Sequence, residues 1–432
     1  MSLSATWTRR LALSSLLLGG LALASCTPPS SGGGGGGTTT TTTTISGPTT
    51  TSTTTTTIPD TGPGPGPAVI VSGRQHSCYL RADGIVKCWG NNGFGQLGNG
   101  NNISSNTPQT VSGITDAIAI AAGAYHTCAI TASGGSDNVK CWGNDAAGQL
   151  GDGSNTASNV PVAVFNLPAP ATAIAAGSSH TCVIKNTGGA SCWGDNYNGE
   201  LGTGSNVSAS TPRSVSGLNS ATAIAAGDLH SCALVSSGTV KCWGANLAGQ
   251  LGDGTNGDSN TPRTVSNLTN ATAVEAAGAF SCARRNGGVI VCWGENVYGE
   301  LGNGAILPPP PQNGDPPPPD INSNIPVAVL NVNTAVSVGL GNDHACAVLA
   351  NGTVKCWGRD DSGQLGDGLT TSRSTSAPVT SLTGATGIAG GDTHTCAARG
   401  ANQVSCWGDN VSGQLGTGNN TPSPTPATVT GI

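Results

Sequence analysis

From residue 68 onward, short apolar runs alternate with polar, Gly-rich stretches. "AIAIAAG" (residues 117–123) is typical: Ala and Ile, ended by Gly. Runs of this length, rich in β-branched residues and bounded by turn residues, predict buried strands. No stretch holds a helical period. After each run, two cysteines flank a short turn, as in "HSCYLRADGIVKCWGNNGFGQLGNG" (residues 76–100). Related strings start at 126, 180, 230, 280, 344 and 394, which makes seven copies. The alternation predicts about four short strands in each unit of roughly 50 residues, the size of one propeller blade.

The copies set the register of a hairpin. Cys78 and Cys88 lie at equal distance from the turn Ala82-Asp83-Gly84, so that if they face each other Leu80 faces Val86. In the second copy Cys128 meets Cys141 and Ile130 meets Val139, although that turn is three residues longer. Directly opposed residues of an antiparallel pair lie about 4.5–5.5 Å apart, within reach of a disulfide. Seven local bridges are therefore expected: Cys78 with Cys88, Cys128 with Cys141, Cys182 with Cys192, Cys232 with Cys242, Cys282 with Cys292, Cys346 with Cys356, and Cys396 with Cys406. The competing reading is a metal site with His76, Cys78 and Cys88 as ligands. Phe280 replaces the His in the fifth copy while its cysteines persist, so no metal and no cofactor are expected. The His is read as structural, its ring bonding a neighbouring backbone group. Trp89, Trp142, Trp193, Trp243, Trp293, Trp357 and Trp407 follow the second cysteines and point to the opposite strand face, where they should pack neighbouring units together.

These residues resemble a known family. "AAG..HTCAL...GTVKCWG.N..GQLGDG" is similar to the repeat of the regulator of chromosome condensation, and covers residues 68–432 in all seven copies. The resemblance implies an all-β, seven-bladed β-propeller. The chain departs from the family in its cysteine pairs, where members inside cells carry apolar or small residues. The globular part starts at "AVIVSGRQHSC", halfway through a unit, and stops at "PATVTGI". The C-terminal strand is therefore expected to complete a blade begun by the N-terminal segment, closing the ring.

The first 67 residues change the picture of compartment. Arg9 and Arg10 precede an apolar stretch, and "LASC" ends at Cys26. This arrangement resembles the lipobox of bacterial lipoproteins, in which the signal (here residues 1–25) is removed and the Cys is acylated. Residues 26–67, with "GGGGGGTTTTTTT" and "TGPGPGP", have no apolar face to bury and read as a disordered tether. Its reach as a coil is about 35 Å. Export suits disulfides. The expected location is the bacterial cell envelope, outside the cytoplasm, on the outer membrane, with the lipid as the only membrane contact.

Charge excludes nucleic acid. Without residues 1–25 the chain carries 14 basic and 22 acidic residues, a net of −8, with no basic cluster to displace counterions. The family's nuclear members act as exchange factor for a small GTPase and dock on chromatin; neither role transfers to an exported acidic chain. No acid–base or nucleophile set stands out from its repeat equivalents. Asp152, Asp253 and Asp367 read as turn formers, and "GFGQLG" (93–98) has no helix after it.

Function is then sought where the copies differ. The loop after Trp-Gly and the position before His vary, and Phe94, Tyr125, Tyr197, Leu229, Leu247 and Tyr298 place apolar or aromatic side chains there. A rigid scaffold carrying such loops predicts a monomeric, non-enzymatic protein-binding module with a protein partner. The alternatives are a carbohydrate-binding propeller using Tyr125, Tyr197 and Tyr298, and a hydrolase or lyase in the central channel. The fifth loop holds a Pro-rich insertion, "AILPPPPQNGDPPPPDINSN" (305–324), whose Pro runs favour polyproline II.

Overall fold

A computed structural model of the chain describes residues 69–305, 321–400 and 402–432. The leader 1–25, Cys26, all of the 26–67 tether and positions 306–320 of the Pro-rich insertion lie outside the described residues. No described helix is long and apolar enough to cross a membrane.

Seven four-stranded antiparallel sheets form, each from four strands consecutive in sequence. In blade 1 these are Val69–Ser72, His76–Leu80, Val86–Gly90 and Ser105–Thr110. The later blades occupy 117–163, 171–214, 221–264, 271–328, 335–378 and 385–428. The first strand of every blade lines a central channel of about 290 Å³. The fourth strand is the outer edge. It carries Pro at the same place in six blades, Pro108, Pro161, Pro212, Pro262, Pro326 and Pro426, where a missing N–H blocks edge-to-edge pairing.

The hairpin register holds in all seven copies. Cys78 pairs with Cys88 and Leu80 with Val86; Cys128 pairs with Cys141 and Ile130 with Val139 across the longer turn. All seven cysteine pairs are bonded, with Cα–Cα separations of 4.0–4.1 Å. Because side chains alternate across a strand, each disulfide faces the following blade and each Trp the preceding one. Cys78 and Cys88 thus pack with Leu80, Val86, Ala129 and Trp142 in one cluster between blades 1 and 2. The seven Trp side chains of the repeats are fully buried. Each hides roughly 200 Å² of mostly apolar surface, worth about 5 kcal/mol before entropy is counted.

Ring closure differs from the sequence expectation. "PATVTGI" pairs within blade 7, Ala427 opposite Cys406, and Val69–Ser72 pairs within blade 1. No strand is shared between the two ends. The N-terminal segment is a complete inner strand, and the C-terminal one a complete outer strand, so neither leaves a gap to fill. Closure comes instead from the contacts that join every other pair of blades. Trp89 Nε1 donates to Gln414 O at 2.9 Å, and the Asp392 N–H donates to Arg74 O at 3.2 Å.

Candidate functional site

The polar chemistry of the repeat sits at the seams between blades. The loop "GQLG" of each blade reaches over the next, so Gln96 O accepts from Trp142 Nε1 (2.9 Å) and from Thr127 Oγ1 (3.0 Å), both in blade 2. Thr127 Oγ1 in turn lies 2.9 Å from His76 Nε2. The hydroxyl spends its proton on the carbonyl, so it accepts from His76 Nε2–H, and Nδ1 is left bare. The chain recurs as His126–Thr181, His180–Ser231, His230–Ser281, His344–Thr395 and His394–Ser77, at 2.7–2.9 Å. The His partner is therefore the hydroxyl of the next blade, not a backbone group as expected from sequence. A side-chain partner one copy away has no signature within a single repeat. Burial pushes the ring pKa values down, to about 4 at His76 and His180 and about 3 at the other four, so all six rings are neutral at pH 7.

The fifth copy explains its own exception. Phe280 stands in place of His, and the facing residue in blade 6 is Ala345 in place of Ser or Thr. Both are fully buried in one apolar cluster with Trp357. Trp357 Nε1 still donates to Glu300 O at 2.8 Å. The seam has lost donor and acceptor together, so no buried group is orphaned by the exchange.

In an up-and-down sheet the first-to-second and third-to-fourth connections lie on one side. The positions before His and the loops after Trp-Gly are those connections, so Phe94, Tyr125, Tyr197, Leu229, Leu247 and Tyr298 all share one face. Leu247 (83% exposed) and Tyr197 (81%) stand free, and Phe94, Leu229 and Tyr298 are partly exposed. Tyr125 is half-buried, with the Phe94 ring 5.4 Å away and the Arg74 guanidinium 5.9 Å from its centre. Arg359 stacks on Tyr298 at 5.2 Å. The loops themselves are held by a buried Asn or Asp three residues past Trp: Asn92 Oδ1 accepts from the Leu97 N–H, and Asp360 Oδ1 from the Leu365 N–H, both at 2.9 Å. Asp360 is thus a loop organiser and Asp361 an ion-pair partner of Arg359, at 2.6 Å. Asp152 and Asp253 cap their turns through Ser154 N (2.8 Å) and Thr255 N (2.9 Å), as expected.

The channel mouth on this face carries charges that the sequence pattern did not single out. Arg74 lies 3.8 Å from Asp228 of blade 4 and 3.7 Å from Asp392 of blade 7. Asp343 pairs with Arg359 at 3.0 Å. Burial pushes Asp228 and Asp392 above the usual carboxylate range, with neighbouring carboxylates acting in the same direction and Arg74 against it. Within the channel wall the strand Ala271–Ala277 places Glu275, which its apolar surroundings push up to about 8. No described group of three or more His, Cys, Asp and Glu residues is arranged to hold a metal ion.

Fold and seams together define a class: a repeat-built seven-bladed propeller whose blades interlock through loop, Trp and hydroxyl contacts. The chain belongs to the RCC1-like domain family, whose sequence profile matches residues 31–313. Regulator of chromosome condensation (RCC1) repeats match residues 335–364 and 385–414, and a second repeat profile matches 351–398. A Caenorhabditis elegans homolog of the X-linked retinitis pigmentosa GTPase regulator is 34% identical over 148 residues, 34% of this chain and 10% of that protein. The chain therefore spans a small part of that relative's length. Human WBSCR16 superposes with a TM-score of 0.69 at 19% identity, covering 80% of this chain and 94% of that one. Yeast RCC1 (Prp20), solved bound to Kap60, gives 0.68 at 20% identity, covering 84% and 85%.

Proposed function

We propose that this propeller is a protein-binding scaffold tethered to the bacterial cell envelope, outside the cytoplasm, by a lipid on Cys26. The observation that carries the reading is the sorting of its two faces. The six variable apolar and aromatic positions gather on one face. The first strand begins, and the last strand ends, on the opposite one. The chain enters the propeller at Val69 on the face opposite the variable loops, which leaves those loops open to a partner. Tyr197 and Leu247, the most exposed of the six, are the expected anchors. The oxidising compartment accords with seven buried disulfides.

The carbohydrate reading has less support. A sugar platform needs several open ring faces; of its three tyrosines Tyr197 stands free, while Tyr125 and Tyr298 each carry Phe94, Arg74 or Arg359 against the ring. A hydrolase or lyase in the channel would need an acid and a base free to act; of the carboxylates lining the channel, Asp228 and Asp392 are paired with Arg74 at the mouth, and Glu275 stands apart on its inner strand. The acidic mouth repels nucleic-acid phosphates.

Two experiments test the proposal. Cys26→Ser should abolish fatty-acid labelling and release the protein from the membrane fraction; retention with no label on the parent chain would remove the anchor. A photo-crosslinker at position 247 should trap a protein on intact cells, and Tyr197→Ala should weaken the capture. Equal capture from crosslinkers on the opposite face, at position 236, would remove the face assignment.

A further inference from the structure

The channel wall holds one charge that no neighbouring group answers. Glu275 lies opposite Cys282, the inner-strand position held by Val71, Ala121, Ala175, Ala225, Gly339 and Ala389 in the other blades. All seven residues line the channel. The other six are apolar and mostly small, because neighbouring blades press together there. At Gly339 even a Cβ would lie 2.5 Å from Ile388 O of blade 7. Glu275 fits because its own strand, Ala271–Ala277, and the inner strand of blade 6, Ala335–Leu340, approach each other less closely than other neighbouring pairs.

The side chain leaves its strand on the same face as Cys282, whose seam cluster includes Val338 and Leu340 of blade 6. Among the described residues the Glu275 carboxyl has no hydrogen-bond or ion-pair partner, and burial alone acts on it. An ionised carboxylate in apolar surroundings is costly unless a cation meets it. The remaining charges of the channel lie elsewhere. They are Arg74, Asp228 and Asp392, which pair with one another at the mouth. One cation thus stands against three carboxylates, and the field along the channel favours an incoming cation. The space, about 290 Å³, is at the small end of the range for ligand sites, roughly 300–1,000 Å³.

We infer that the central channel binds a small organic amine, whose ammonium group pairs with Glu275 and whose apolar body lies along the small side chains of the inner strands. A bare inorganic cation would leave that apolar wall in contact with nothing. Arg74, Asp228 and Asp392 keep their own pairs and set the sign of the field at the entrance. The site does not depend on which loops meet a protein partner, so it stands or falls apart from the scaffold reading.

The test is an NMR titration of the folded, oxidised chain at pH 8 with benzylamine and benzyl alcohol, and with ammonium chloride as competitor. Benzylamine should bind at least tenfold more tightly than the alcohol, which lacks the charge. Ammonium at equal concentration, which lacks the apolar body, should not displace it. E275Q removes the charge with little change of shape; it should weaken benzylamine at least tenfold and leave the alcohol within twofold. E275A, which places the residue of four other blades there, should weaken benzylamine equally, and carries the test if Gln disturbs the fold. D137N, which removes one charge from an exposed turn outside the channel, should change benzylamine binding less than twofold. An unchanged near-ultraviolet circular dichroism spectrum shows that a variant is folded. The assignment is overturned if benzylamine does not bind, if the alcohol binds as well, or if ammonium displaces the amine. Full affinity in the folded Glu275 variants, or an equal loss in D137N, overturns it too.

Discussion

Replacing Thr127 by Ala removes the hydroxyl between His76 and Gln96. The carbonyl keeps the indole N–H of Trp142, so it stays satisfied. His76 loses its acceptor while fully buried, with Nδ1 already bare. Leaving one buried donor unmade costs about 2 kcal/mol. Over the roughly 360 residues of the propeller, at about 2.1 cal/mol/K of unfolding entropy each, this lowers Tm by roughly 2–3 °C. His76→Phe added to Thr127→Ala recreates the Phe280–Ala345 arrangement of the fifth seam, where nothing is orphaned. In the His76→Phe background, Thr127→Ala should therefore cost under about 1 kcal/mol, a coupling of about 1–2 kcal/mol between the two positions. Calorimetry or urea unfolding of the four proteins, kept oxidised, measures it. If Thr127→Ala costs the same in both backgrounds, the hydroxyl does not serve the ring, and the account of the fifth copy's exchange fails.

Three further outcomes follow from the same contacts. Cys78→Ser/Cys88→Ser opens a loop of about ten residues, which should cost about 2.7 kcal/mol and lower Tm by roughly 3–4 °C; no change would mean that the staples add nothing to the packing around them. Gly98 has φ +65°, and a Cβ there would lie 2.7 Å from Trp142 Nε1, so Gly98→Ala should destabilise more than Gly113→Ala, where φ is also positive but space is open; equal losses in unfolding free energy would contradict the seam geometry. Stability should fall on both sides of a maximum as pH is varied. The six His pKa values are depressed below their ordinary 6.5, so their contribution is present above 6.5 and lost as pH falls toward about 3–4. Glu275 and Glu300 are raised to about 8, so their contribution is present below about 4.5 and lost as pH rises through 8. Glu275→Gln should accordingly raise Tm at pH 8–9 and leave it unchanged near pH 4; a gain equal at both would rule out ionisation as the cause.

Much of the fold was legible in the chain itself because its interactions are local. Cys78 and Cys88 meet through a hairpin whose turn lies between them, so spacing alone sets the register, and a longer turn before Cys141 leaves it intact. The alternation of strand faces then sends Trp89 to the other side. What joins one copy to the next was not legible. His76 and Thr127 are 51 residues apart, and each looks ordinary within its own repeat. "FSC" in the fifth copy and "HAC" in the sixth are visible to any reader of the sequence, yet only the ring shows that the missing His and the missing hydroxyl face each other.

The same division holds for the site. Variation among the loops marked Tyr197 and Leu247 directly, because the repeat supplies its own comparison. Asp228 and Asp392 passed unnoticed, since a carboxylate gains meaning only from what lies within a few ångströms, and the group they share, Arg74, comes from another blade. Hairpin register and side-chain alternation are properties of short segments, and the sequence determined them alone. Ring closure, the partners of the histidines and the charges at the channel mouth depend on contacts between segments from 51 to 325 residues apart, and chain geometry in three dimensions decided those.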